Sequence, residues 1–131
     1  MTKIDRVAVY NKYNCRCGYC GIPLRIQEMQ VDHIIPQSDY ANRIKRTFQL
    51  PSFLTNLNEN DVNNPANLMP SCRVCNNWKS SHSLEFFRAE LAEQLKRLNN
   101  YSSNYRIAKK FGQIEETPKP IIFYFENCNL I

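Results

Sequence analysis

Two Cys-x-x-Cys pairs constrain this chain more than any other feature. Cys17 and Cys20 bracket "CGYC", and Cys72 and Cys75 bracket "CRVC". Structural zinc takes four tetrahedral ligands, thiolate among the favoured ones, and each pair can wrap one side of the ion. The 51 residues from 21 to 71 are more than a compact zinc ribbon uses between its pairs. A long insertion is tolerated all the same, because loop-closure entropy grows slowly with length. Four merely buried or reduced cysteines are one alternative. A redox pair is another, but neither pair sits in a βαβ pattern. Cys15 competes with Cys17 as a ligand; Cys17 leaves the usual gap of two residues before Cys20, and Cys15 leaves four. The expectation is structural zinc on Cys17, Cys20, Cys72 and Cys75, with Cys128 in the core or exposed near the terminus.

A chain of 131 residues points to a single domain, 1–131, large enough to bury a core. At 43% hydrophobic residues the class is globular. Seventeen Lys and Arg against twelve Asp and Glu leave a net charge of +5, which suits a polyanionic partner without requiring one. No apolar run approaches the ~18 residues of a membrane span, so no membrane partner is expected. "MTKIDRVAVYNKYN" scatters charges where a secretory signal is apolar. A cytoplasmic location is the resulting expectation, and a reducing cytosol disfavours disulfides.

Residues 3 to 13 read as a short helix with Ile4, Val7, Ala8 and Val9 on its apolar side. "IPLRIQEMQVDHII" reads as a short hairpin, ended by Pro36. Residues 37 to 64 form a long polar and basic excursion, the kind of connection that is usually functional or mobile. "SLEFFRAELAEQLKRL" is the clearest helix: Leu84, Phe87, Leu91, Leu95 and Leu98 recur at helical spacing, and Ser83 is the N-cap candidate. "YSSNYRIAKKFG" predicts a second helix ending at Gly112, and "PIIFYFE" a strand. The motif core thus runs from about 15 to 82, with a C-terminal helical extension over about 83–131.

"VDHIIP" places an acid and one of only two histidines inside an aliphatic run. Taken with "NCRCGYCG" and "NPANLMPSCRVCNNWK", it resembles the HNH, or ββα-metal, endonucleases, and specifically the subgroup braced by a four-cysteine zinc. The resemblance spans roughly residues 6 to 88. It implies an α+β fold: a ββα-metal (His-Me finger) core with structural zinc, an N-terminal helix, and C-terminal helices plus a short strand. It also implies a metal-dependent endonuclease that hydrolyses phosphodiester bonds in DNA. By that resemblance His33 is the general base, Asp32 and Asn76 hold a catalytic Mg²⁺ or Mn²⁺, and Asn67 is the central asparagine that ties the loop after the histidine. The position after the last cysteine is often histidine in the family and here is Asn76, with Asn77 as the competing choice of metal ligand.

These residue types suit that chemistry. Imidazole accepts a proton near neutrality. Carboxylate and amide oxygens are hard ligands for Mg²⁺ or Mn²⁺, which acts as a Lewis acid on the scissile phosphate and the leaving 3′ oxygen. In a regular strand Asp32 and His33 face opposite sides, and the resemblance implies an irregular backbone that turns both to one cleft. Arg43, Lys45 and Arg46 are candidate contacts to a nucleic-acid backbone, with Tyr40, Phe48 and Phe53 nearby to stack or wedge. Lys79, one turn beyond Asn76, is a further phosphate candidate, weighed against an ordinary solvated lysine. His82 reads as a surface histidine near a helix start. The rival function is a non-catalytic zinc module that binds nucleic acid or a protein. A homodimer, or a larger restriction or defence complex, is the expected assembly context for a small nuclease.

Overall fold

The computed structural model describes residues 3–36, 54 and 62–128. Its order is helix α1 (Arg6–Asn11), strand β1 (Gln30–His33), strand β2 (Leu68–Ser71), then helices α2 (Arg73–Lys79), α3 (Leu84–Ala92), α4 (Gln94–Tyr101), α5 (Ser103–Lys110) and α6 (Tyr124–Asn127). The architecture is mixed α/β, with one two-stranded antiparallel sheet among the described residues.

β1 pairs with β2 in the register Gln30↔Ser71, Val31↔Pro70, Asp32↔Met69 and His33↔Leu68. The hairpin expected within residues 22–35 does not form. Residues Ile26–Glu28 make a 3₁₀ turn instead, in which the Glu28 carboxylate accepts from the Arg25 backbone N–H at 3.0 Å. The strand partner comes from the far side of the chain. Pro70 is tolerated in β2 because each strand of a two-stranded sheet is an edge, where proline's missing N–H interrupts no second ladder.

Every residue of β2 is buried, so it separates two apolar clusters. Met69 packs with Cys17, Tyr19, Ile34, Ile35, Leu54, Leu84, Phe87, Phe123 and Phe125. Leu68, on the opposite face, packs with Val9 and Met29. Lys12 ties α1 to this strand by donating to the carbonyls of Pro65 at 2.6 Å and Leu68 at 2.8 Å.

The long helix expected from Ser83 to Leu98 breaks at Glu93, giving α3 and α4. Ser83 caps α3, its hydroxyl accepting from Phe86 N–H at 3.2 Å. Leu84 and Phe87 are buried, but Leu98 is exposed, so the apolar stripe serves the core only along α3. The expected C-terminal strand is also absent. Residues 121–123 carry no ladder, and α6 follows. Tyr124 N–H donates to Tyr19 O at 3.0 Å and Phe125 N–H to Gly18 O at 2.8 Å. Glu126 folds back on Phe123 N–H at 2.8 Å, which turns the segment helical. Arg88 fastens it, donating to Ile121 O and both Glu126 oxygens while lying 4.5 Å from the Phe123 ring centroid. Among the described residues, no helix is long and apolar enough to cross a membrane.

Candidate active site and metal centre

The two cysteine pairs converge. The Sγ atoms of Cys17, Cys20, Cys72 and Cys75 lie within 4.8 Å of one another, and Cys20 and Cys72 are 3.9 Å apart. Tetrahedral zinc with Zn–S of about 2.3 Å sets sulfurs about 3.8 Å apart, so the spacing fits. Local backbone builds each half. Cys20 N–H points to Cys17 Sγ at 3.5 Å, and Cys75 N–H to Cys72 Sγ at 3.4 Å, where α2 begins. Gly21 holds φ +81, a left-handed angle that closes the first knuckle. Gly18 lies so close to β2 that a Cβ would fall 2.1 Å from Met69 Sδ.

The thiols titrate apart. A hydrogen bond from Cys75 draws Cys17 down to about 4, and burial pushes Cys20 up to about 11. Cys75 is raised, first by that same bond to Cys17 and then by burial. Four crowded sulfurs cannot all become thiolates without a cation among them, so the donor set fits a zinc ion. Cys15 lies outside the cluster, with its Sγ 3.5 Å from Asn11 Oδ1.

Tyr19 sits between the two ligands of the first knuckle, and its hydroxyl donates to Asp32 Oδ2 at 2.5 Å. Lys79 approaches the same oxygen at 3.1 Å, and its ammonium also donates to His33 O at 2.9 Å. Lys79 is 0% exposed and Asp32 5%. The phosphate contact expected of Lys79, and its solvated alternative, both give way to this burial: the ammonium is committed to an interior ion pair. Burial pushes the Asp32 carboxyl up, against the pull of Lys79 and the Tyr19 hydrogen bond.

Asn67 is fully buried and its amide is fully engaged. Oδ1 accepts from Ile35 N–H at 2.8 Å, while Nδ2 donates to Ile35 O at 3.2 Å and Val62 O at 3.0 Å. It therefore pins the chain directly after His33. His33 Nε2 lies 2.8 Å from Asn63 Oδ1. An amide oxygen only accepts, so Nε2 is the donor in this contact.

Asp32, His33 and Asn76 line one cleft of about 300 Å³, together with Val31, Pro36, Ser80 and Ser81. Three successive residues of β1, Val31, Asp32 and His33, line it. Asn76 lines the cleft and Asn77 does not. Asp32 Oδ1 has no hydrogen bond among the described residues, although the residue is almost wholly buried. A buried carboxylate oxygen without a hydrogen bond, in a cleft that Asn76 also lines, fits a hard divalent cation. Arg43, Lys45, Arg46, Tyr40, Phe48 and Phe53 lie outside the described residues. His82 is exposed and stacks on Phe86, with ring centroids 4.2 Å apart.

Two site residues escape a reading of the sequence. Tyr19 is hidden inside the knuckle "CGYC". Asn63 stands beside Asn64 in an asparagine-rich stretch, and only the fold separates their roles: Asn64 caps the turn Pro65–Asn67, its Oδ1 accepting from Ala66 N–H at 2.9 Å.

These features define a zinc-type four-cysteine site joined to a small strand–helix cleft. Residues 17–47 match the family model described as HNH endonuclease, which takes in the first knuckle and all of β1. The four-cysteine cluster fits the zinc-braced subgroup of that family, and the match suggests a nuclease or nucleic-acid-related function. No curated protein and no solved structure matches the chain.

Proposed function

We propose that this chain is a metal-dependent endonuclease hydrolysing phosphodiester bonds in DNA, with β1, β2 and α2 as a ββα-metal core. One observation carries the reading: Asp32, His33 and Asn76 face a single cleft. His33 takes the proton of the attacking water on Nδ1, because Nε2 is engaged with Asn63. Asp32 Oδ1 and the Asn76 amide oxygen would hold Mg²⁺ or Mn²⁺. When bound, that ion supplies Lewis-acid stabilisation of the phosphate and the leaving 3′ oxygen. Asn67 keeps the base at a fixed distance from the cleft through the Ile35 peptide.

Purified protein, plasmid and single-stranded DNA with Mg²⁺ or Mn²⁺ provide the test, beside a His33→Ala variant. Cleavage by the wild type and its loss in the variant are expected. Equal, undegraded DNA with both proteins and both metals would falsify the reading.

A second reading is a non-catalytic zinc module that binds nucleic acid. It draws on the Lys79 ammonium, which neutralises Asp32 without any divalent ion. Its signature is salt-sensitive DNA binding with no cleavage and no Mn²⁺ uptake near Asp32.

A further inference from the structure

Helices α4 and α5 pack against each other within the C-terminal extension. From Gln94 to Gly112 the chain carries Lys96, Arg97, Arg106, Lys109 and Lys110 and no acidic residue. That is +5, and the whole chain is +5, so the remaining residues sum to zero. Residues 1–36 and 62–83, which hold the cysteines and the cleft, sum to +4, and residues 84–93 and 113–131 sum to −4, so these two helices are the most densely basic stretch of the chain.

On α5, Arg106, Lys109 and Lys110 stand at i, i+3 and i+4, which is one helix face. Arg106 donates to Asn99 O at 3.0 Å and Lys109 to Asn99 Oδ1 at 3.1 Å, so the end of α4 orients two of the three. Lys109 also meets Glu116 at 3.1 Å. Among the described residues, neither Arg106 nor Lys110 has a carboxylate within ion-pair distance. Two exposed aromatic residues flank α5 in the chain: Tyr101, the last residue of α4, is 84% exposed, and Phe111, directly after α5, is 74% exposed.

We infer that the α4–α5 surface grips single-stranded DNA, with phosphates on Arg106 and Lys110 and bases stacked on Tyr101 and Phe111. Single-strand binders combine a positive track with solvent-facing rings, because unpaired bases offer π faces that a duplex keeps stacked. An excess of positive charge opposes a second copy of the same surface and complements a polyanion. The inference rests on the nuclease reading only in taking DNA as the nucleic acid, and it assigns a gripping surface outside the cleft.

Fluorescence anisotropy with labelled oligo-dT and a duplex of equal length tests it. The zinc-loaded full chain carries His33→Ala, so the probe survives in Mg²⁺. The Arg106→Ala/Lys110→Ala variant should bind oligo-dT about tenfold more weakly, with a logarithmic salt slope lower by about 1.4, or ~0.7 per phosphate on a single strand. Tyr101→Ala/Phe111→Ala should lose about tenfold with the slope unchanged, since stacking releases no counterions. All four side chains are exposed, and unchanged zinc content and circular dichroism verify the fold. Parental affinity in both variants overturns the inference. So does tighter binding of the duplex, or a ring variant that alters only the oligomeric state on size exclusion. Cleavage by the wild type with DNA binding indifferent to the helix variants sinks this surface and leaves the nuclease standing. Helix-dependent binding without cleavage does the reverse.

Discussion

Tyr19, which stands between two zinc-type ligands in the chain, donates its hydroxyl to the Asp32 carboxylate 2.5 Å away. The metal centre and the cleft are therefore joined by one side chain. Tyr19 also packs edge-on against Phe87 and Phe123, at centroid distances of 5.3 and 5.2 Å, which leaves its hydroxyl little freedom to move. Tyr19→Phe keeps the ring and removes the donor. It should cost about 1–3 kcal/mol, the range for a buried hydrogen bond to a charged group. Urea unfolding measures it, and a loss below ~0.5 kcal/mol would show that Asp32 does not depend on this bond.

Lys79 and Asp32 form the interior ion pair of the cleft. Lys79→Met strands a buried carboxylate and should destabilise by about 3–5 kcal/mol. Adding Asp32→Asn should recover much of that loss, because the stranded charge is then gone. The double-mutant cycle reads the coupling directly, and additive losses contradict a buried pair.

Zinc removal should disable more than the knuckles. Cys72→Ser, or chelation of the wild type, is expected to release about one zinc per chain by elemental analysis and to lower the melting temperature together with DNA cleavage. Excess Mg²⁺ or Mn²⁺ should not restore either property, because hard ions bind thiolates poorly. Retention of full activity by a zinc-free protein would contradict the link through Tyr19.

Asn63 Oδ1 meets the His33 ring at Nε2. On the nuclease reading, Asn63→Ala should lower kcat about tenfold, equivalent to ~1.4 kcal/mol, with KM nearly unchanged. Asn63→Asp keeps an acceptor oxygen and should retain more activity than the alanine variant. A change confined to KM argues against a positioning role.

Glu116 accepts from Tyr105 Oη and Asn99 Nδ2, each at 2.6 Å, and meets Lys109. These partners hold its carboxyl at about 2 against an ordinary 4.5, the Tyr105 hydrogen bond first. A carboxyl lowered on folding contributes stability above its unfolded value and loses it as pH falls through the folded one. The melting-temperature gap between wild type and Glu116→Gln should thus be full above about 4.5 and close toward about 2. A gap independent of pH across that window rules out the carboxylate as its source.

Some of the fold and site is legible in the residues alone. Cys-x-x-Cys is a local geometry, so spacing is enough to select Cys17 over Cys15, and the fold leaves Cys15 outside the cluster. Ser83 as a cap depends only on its own helix start. Long-range pairing is not legible: local pattern gives β1 a neighbour within residues 22–28, but its partner lies more than thirty residues on, at Leu68–Ser71. "PIIFYFE" has strand composition, yet a strand requires a partner edge, and this segment gives two N–H groups to knuckle carbonyls without forming a ladder.

Ligand types and motif order are set at the level of the chain, because thiol spacing and the Asp–His pair are properties of short segments. What each charged or polar side chain does is set by tertiary packing. Lys79 has the composition of a phosphate-binding or solvated lysine, and becomes an interior counter-ion because α2 lays it against β1. Asn63 and Asn64 are chemically identical neighbours, and only the fold brings one to His33 and the other to a turn. Burial and partner distance fix the role of a polar group, and both are set by contacts between segments far apart in the chain.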